Sequence, residues 1–285
     1  MGQAPLRCRE IVNSDCQDVI ALLTEGFGRE RDRGFWEQAM ERLARHNTPP
    51  GFPRFGYMLD NAGTAVGVIL QIFSQVPGSD GVRCSMSSWY VMPDFRMYGS
   101  LLISRALRHA ATYTNVTPAP ETWPLLEVQG FVRYCSGRVV APLWLARGSD
   151  AARVLPFADG MTPDEHLTAT DIALLRDHAG YGCISLVCDA GERRYPFVFA
   201  PRRRLGVGRI AGLIYCSAAA TVPRFAGALG RYLARHGFPF VVLDADGPLP
   251  GVPGLYTDNR PKFFKGPDRP RLGDHAYSER AMFGS

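Results

Sequence analysis

The segment Ser87-Ser88-Trp89-Tyr90-Val91-Met92-Pro93-Asp94-Phe95-Arg96-Met97-Tyr98-Gly99-Ser100-Leu101-Leu102-Ile103 constrains the fold of this chain more than any other. It reads as an apolar strand, an exit marked by Pro93, a short loop carrying Arg96 and Gly99, and an amphipathic helix. The helix places Leu102, Ile103, Ala106, Leu107 and Ala110 on one stripe. A strand that enters a helix through a Gly-bearing loop presents backbone N–H groups beside the positive end of the helix dipole. That combination is an anion site, and it sets the chain in the α/β class.

A length of 285 residues is long for one hydrophobic core and suits two domains. Hydrophobic residues make up 46% and charged residues 21%, as in ordinary globular proteins. No apolar run reaches membrane-spanning length, and the N-terminal residues 1–7 lack the apolar core of a secretory signal. Leu6 stands where myristoylation would want Ser or Thr. A cytoplasmic location is the expectation, with no membrane partner. The seven cysteines are scattered at 8, 16, 84, 135, 183, 188 and 216 without a Cys-x-x-Cys pair, which argues against disulfides and structural zinc. The histidines at 46, 109, 166, 178, 236 and 275 show no metal spacing, so no metal site is expected. A net charge of +5 is mild and compatible with an anionic co-substrate.

Along the chain, Asn13-Ser14-Asp15 caps a helix with Val19, Ile20, Leu22, Leu23 and Phe27 inward. A second helix over 35–46, with Phe35, Trp36, Met40 and Leu43 inward, stops at Asn47-Thr48-Pro49-Pro50-Gly51. Strands at 55–59 and 65–74 flank the turn Asp60-Asn61-Ala62-Gly63, and a further strand covers 83–92. After the central helix come a strand near 112–116, a helix starting around Pro118–Pro124, Gly130-Phe131, and a last strand over 132–145. Residues 147–153 read as a linker. Beyond it lie a helix at 171–179, strands at 184–188, 197–200 and 210–216, a helix at 222–236 and a strand at 238–243.

This order of elements, with Val91-x-Pro93 leading into Arg96-x-x-Gly99, resembles the GNAT superfamily of acyltransferases. The Leu126-x-x-x-Gly130-Phe131 ending resembles it too. The strand–helix–strand at 84–117 recurs in pattern at 210–243, which suggests a duplicated unit. The resemblance implies an α/β chain of two tandem GNAT-like units, each a mixed central sheet flanked by helices. The first would span 1–147 and bind acyl-CoA; the second, at 148–285, would be a degenerate copy that completes an acceptor cleft.

The resemblance further implies acetyl-CoA or another acyl-CoA as co-substrate, inserted in a wedge between the central strands leaving Val91 and Thr114. Val91 and Met92 would pair with the pantetheine amides. Arg96, Met97, Tyr98, Gly99, Ser100 and Leu101 would hold the pyrophosphate, Leu101 standing where the family has a small residue. The implied activity is direct acyl transfer to an amine or hydroxyl of a small molecule or small peptide. Two further readings stay open: a non-catalytic binding protein of the same fold, and a tandem-unit aminoacyl transferase that uses charged tRNA.

The chemistry-bearing positions are sparse. Where the family often has a carboxylate base the chain has Ser87 and Ser88, poor proton acceptors. Where many members have an acidic Tyr it has Leu126, leaving Tyr90, Tyr98 and Tyr134 as candidate acids. Arg203-Arg204-Leu205-Gly206-Val207-Gly208 resembles a phosphate loop, but a strand-like run follows it, so a basic hairpin is expected. Ser217-Ala218-Ala219-Ala220-Thr221, at the equivalent place in the second unit, has neither Gly nor base. The tRNA reading rests on the basic segments 202–209 and 260–265; otherwise no nucleic-acid partner is expected. Asn259-Arg260-Pro261-Lys262-Phe263-Phe264-Lys265-Gly266 is expected to be a wrapping loop, and 274–279 a closing strand.

Overall fold

The computed structural model describes residues 6–28, 31–147, 151–204 and 208–284, without the side chains of 203 and 204. The extreme N-terminus read above (1–5), residues 148–150 of the expected linker and residues 205–207 of the Arg-rich string lie outside that set.

The chain forms two compact units. The first takes residues 1–115 together with 266–268 and 277–283; the second takes 116–265, 269–276 and 284–285. In the first unit β1 (Arg7–Glu10) leads through a 3-10 turn to α1 (Cys16–Phe27) and α2 (Arg33–Arg45). Val19, Ile20, Leu22 and Leu23 of α1 are buried, as are Trp36, Met40 and Leu43 of α2. Phe27 and Phe35, expected inward with them, are half-buried. The N-cap of α2 is Asp32, whose carboxylate accepts the N–H of Phe35 at 2.8 Å. β2 (Gly56–Asn61), β3 (Thr64–Gln75) and β4 (Val82–Val91) then form an antiparallel meander that continues β1. The turn between β2 and β3 has Ala62 at φ 54° and Gly63 at φ 89°, as a two-residue hairpin turn requires. α3 (Gly99–Ala106) crosses to β5 (Thr112–Asn115), which runs parallel to β4.

In the second unit α4 (Trp123–Val128) precedes β6 (Val132–Cys135) and β7 (Gly137–Ala141). The single strand expected over 132–145 is therefore two, separated by Ser136. β7 pairs with β12 and β13, whereas β6 pairs with β14. The break is held in place by the Asp246 carboxylate, which accepts the N–H of Ser136 at 2.6 Å. Gly137 is obligatory there, since a Cβ would sit 2.1 Å from the Thr257 carbonyl oxygen.

The rest of this unit comprises β8 (Arg153–Pro156), α5 (Ala169–Gly180), β9 (Ile184–Asp189), β10 (Arg194–Arg204), β11 (Gly208–Cys216), α6 (Thr221–Arg235), β12 (Phe240–Ala245), β13 (Leu255–Thr257) and β14 (Lys262–Lys265). Its sheet order is β13-β7-β12-β11-β10-β9-β8, mixed in direction. Phe197, Phe199, Phe225, Leu229 and Leu243 fill its core. The antiparallel pairing of Arg203 with Arg209 and Arg204 with Gly208 makes the Arg-rich string a hairpin, as expected. The segment expected to wrap as a loop is instead β14, with Lys262 and Phe263 buried. A final helix, α7 (Glu279–Met282), lies in the first unit against α2 and β4.

Candidate functional site

The first unit contains a split between its two central parallel strands. β4 stays paired with β3 from Val82 to Val91. On its other side it meets β5 only through Arg83–Ser85 and Thr112–Thr114. Past Ser85 the strands part, and no further strand pairs with β4 on that side among the described residues. The edge from Met86 to Val91 thus offers main-chain donors and acceptors to an extended ligand. The strands that part here are those leaving Val91 and Thr114, between which the resemblance implies a wedge.

A β-bulge accompanies the split. Tyr90 faces Val68 and Ser87 faces Leu70, so Ser88 and Trp89 share Ile69 as their partner. Ser88 has φ 49°, a left-handed conformation that costs a non-Gly residue about 1–3 kcal/mol. Such bulges bend and twist a strand and re-aim its side chains. The Ser87 and Ser88 hydroxyls lie 2.9 Å apart, hydrogen-bonded to each other.

The expected anion loop is more ordered than a loop. Pro93–Tyr98 forms a 3-10 helix that runs straight into α3. Phe95 donates its N–H to the Met92 carbonyl, Gly99 to that of Arg96, and Met92 to that of Val66. Arg96, Met97, Tyr98, Ser100 and Leu101 are exposed, while Val91 and Met92 are half-buried. Leu101, where the family has a small residue, is exposed at the start of α3. What this turn offers an anion is the Arg96 cation and the positive end of α3. Gly99 is buried for a different reason: Cζ2 of Trp89 lies 3.4 Å from the place a Cβ would occupy.

β4, with sequence Val-Arg-Cys-Ser-Met-Ser-Ser-Trp-Tyr-Val, carries no carboxylate. Of the candidate acids, Tyr90 lies on the open stretch and donates to Glu25 at 3.5 Å. Burial, and then the Glu25 charge, push its pKa up. Tyr98 is exposed on the 3-10 turn. Tyr134 belongs to the second unit, buried beside His275 Nδ1 at 3.4 Å. Leu126 is buried in α4.

Burial lifts Cys84 well above the ordinary thiol range, Cys135 and Cys216 to about 11, and Cys188 to about 12. No group of three His, Cys, Asp or Glu side chains is placed to hold a metal among the described residues.

The second unit has the corresponding split, already filled. β11 and β12 pair in parallel only through Ile210–Gly212 and Phe240–Val242. Past that point Gly273–His275 runs antiparallel to β11. Cys216 donates its N–H to the Gly273 carbonyl at 3.0 Å, and His275 donates to that of Ile214 at 2.7 Å. Because β10 holds the opposite edge of β11 through Cys216, this segment occupies the β12 side.

His275 Nε2 then reaches the Asp244 carboxylate of β12, which also accepts from Lys262 Nζ. All three side chains are almost wholly buried. The stretch expected to be a closing strand, 274–279, is therefore one isolated bridge followed by a turn and α7. The sequence reading passed over Asp244 and took Lys262 as part of a basic wrapping loop. The available signal was a carboxylate ending the apolar run Phe-Val-Val-Leu and a lysine beside two phenylalanines.

No protein-family model and no curated protein matches the chain. Solved structures match in fold. An inferred acetyltransferase of Pyrococcus horikoshii superposes with a TM-score of 0.60 at 12% identity, over 99% of this chain and 97% of that one. A GCN5-related N-acetyltransferase from Anabaena variabilis gives 0.57 at 12% identity, over 92% of this chain and 72% of that one. One from Kribbella flavida gives 0.53 at 13% identity, over 91% and 70%. The chain therefore has the fold of the GCN5-related N-acetyltransferases along most of its length, as its sequence resemblance implied. No helix among the described residues is long and apolar enough to cross a membrane.

Proposed function

We propose that the chain is an acyl-CoA-dependent acyltransferase whose first unit holds the acyl-CoA. The observation that carries this reading is the parting of β4 from β5 after Ser85, next to the bulge at Ser88. A pantetheine arm is an extended chain with two amides, and the open edge from Met86 to Val91, beside the turn at Arg96, is an extended partner for it. Arg96 and the start of α3 take the pyrophosphate, with Met97 and Tyr98 beside it and Gly99 and Ser100 opening the helix. The thioester then lies toward the bulge.

The acyl group passes directly to an amine or hydroxyl of a small molecule or short peptide, with acetyl-CoA the simplest donor. The elevated thiol pKa values at Cys84, Cys135, Cys188 and Cys216 disfavour an acyl-cysteine intermediate. The work is done by positioning the acceptor against the thioester. A cytoplasmic setting, where acyl-CoA is available, suits this chemistry.

Calorimetric titration with acetyl-CoA, followed by thiol-release assays across a panel of amines, alcohols and short peptides, tests the reading. Saturable binding and acceptor-dependent release are expected. No binding at millimolar acetyl-CoA would overturn it. Binding without release across the panel would favour a non-catalytic binding protein, the second reading that the carboxylate-free β4 supports. For the tRNA-dependent reading, the basic segment 260–265 keeps Arg260 and Lys265 but has Lys262 buried against Asp244.

A further inference from the structure

We propose that the proton acceptor missing from β4 is supplied by the C-terminal segment, as Glu279 acting through the hydroxyl of Ser85. This rests on the acyltransferase reading above. Ser85 is the last residue of β4 to pair with β5, so its side chain stands at the apex of the split. Its Oγ donates to Glu279 Oε2 at 2.7 Å, and both residues are buried.

Alternation along β4 puts Ser85 and Ser87 on the face opposite Cys84. Gln71 Nε2 ties Cys84 to the α3 side by also donating to the Ala106 carbonyl. The Ser85 face is thus the one that α7 approaches, and Glu279 is the first residue of α7. The backbone is forced to reach it: Tyr277, two residues earlier, has φ 58°, and its ring lies 5.5 Å from that of His46. Strain of this kind persists only where the surroundings over-determine it. Arg42 of α2 donates to the Met282 carbonyl at 2.5 Å and fixes the far end of α7.

In the step, an acceptor ammonium donates an N–H to Ser85 Oγ while the Ser85 proton passes to Glu279. The freed nitrogen lone pair attacks the thioester carbon; a C–N bond forms and the C–S bond breaks. CoA leaves as a thiolate that takes the second proton from nitrogen, and Glu279 releases its proton to solvent. The charged and titratable side chains on the elements packed against α7 include Arg42 of α2, with His46 at its C-cap, and Arg83 and Cys84 of β4, with Arg280 on α7 itself; the Glu279 charge acts on Cys84.

The test measures acetyl-CoA affinity, melting temperature and the pH dependence of kcat and KM for wild type, Glu279→Gln, Glu279→Asp and Ser85→Ala. Glu279→Gln is expected to lose about 100-fold in kcat and to change the shape of the pH profile. Its acetyl-CoA affinity should stay within about twofold, because uniform binding is untouched. Glu279→Asp should recover part of the rate, and Ser85→Ala should fall as Glu279→Gln does. Glu279→Gln with wild-type kcat and profile would overturn the proposal. If that variant does not fold, Ser85→Ala at full rate overturns it equally. Wild type that binds no acetyl-CoA would instead refute the acyltransferase reading, and the relay would fall with it.

Discussion

The indole of Trp89 packs over Gly99, its Cζ2 3.4 Å from the position a side chain would take. The bulged strand and the start of α3 therefore touch through a glycine, which ties the geometry of the open β4 edge to that of the turn proposed to hold the pyrophosphate. A methyl group meets Trp89 at ordinary contact distance, and Gly99 has φ −57°, so Gly99→Ala adds helix propensity without strain. It is expected to be neutral or to stabilise by up to about 1 kcal/mol. Gly99→Leu must displace the ring, at about 1–3 kcal/mol, and should weaken acetyl-CoA binding several-fold. Thermal melts, Trp fluorescence and calorimetry read all three effects. Unchanged acetyl-CoA affinity in Gly99→Leu would show that Trp89 and the turn act independently.

Tyr90 makes a closer contact on the other face of the same strand. A Cβ on Gly26 of α1 would lie 2.5 Å from the Tyr90 ring. Gly26→Ala gains about 1 kcal/mol of helix propensity. It must also push an aromatic ring and its strand aside, at about 1–3 kcal/mol. A net loss of stability in urea unfolding is expected, together with weaker acetyl-CoA binding, because Tyr90 lies on the open stretch. A variant as stable as wild type would mean that α1 shifts freely against β4.

Arg9 joins the start of the first unit to its hairpin. It donates to both oxygens of Asp15, at 2.7 and 2.9 Å, and through Nε to Asp60 at 2.8 Å. The Arg9 bond, more than any other influence, lowers the pKa of Asp15 and of Asp60. A carboxylate whose folded pKa is depressed contributes stability above its unfolded pKa of about 4 and loses it as pH falls through the folded value. Arg9→Ala should thus destabilise at pH 7 by about 1 kcal/mol, the pair being partly exposed. The difference from wild type should shrink below pH 4. Melting curves at pH 7 and pH 3 measure it; a difference independent of pH would assign the effect to packing of the Arg9 stem.

Much of this was written locally. The inward stripe of α1, the Ala62-Gly63 turn and the strand–turn–helix at 87–103 each follow from residues within a few positions of one another. The failures share one cause, a partner far away in sequence. Ser136 breaks a run that alternates like a single strand because Asp246 takes its N–H across |i−j| = 110. Lys262 looks like a surface cation until Asp244 buries it, and 274–279 looks like a strand until β11 claims only its first residues. Ser85 is an unremarked strand serine until Glu279 arrives from |i−j| = 194. Periodicity reports which face of an element is apolar, not which distant element supplies the counter-charge.

The two units differ in a way that sets the stoichiometry expected on the acyltransferase reading. Each parts its central parallel strands after a short paired stretch, at Ser85 in one and at Gly212 in the other. In the second, Gly273–His275 already takes the edge of β11 that an extended ligand would use, and Asp244 locks His275 there. Removing that segment would leave Asp244 and Lys262 buried without His275, so the slot does not open at low cost. One acetyl-CoA per chain is expected from calorimetry or native mass spectrometry, and two equivalents would sink the argument. Gly273 secures the seal: it sits at φ 75°, and a Cβ would meet Cys216 Sγ at 2.8 Å. Gly273→Val should therefore destabilise the second unit by several kcal/mol, with the acetyl-CoA affinity of the still-folded chain unchanged.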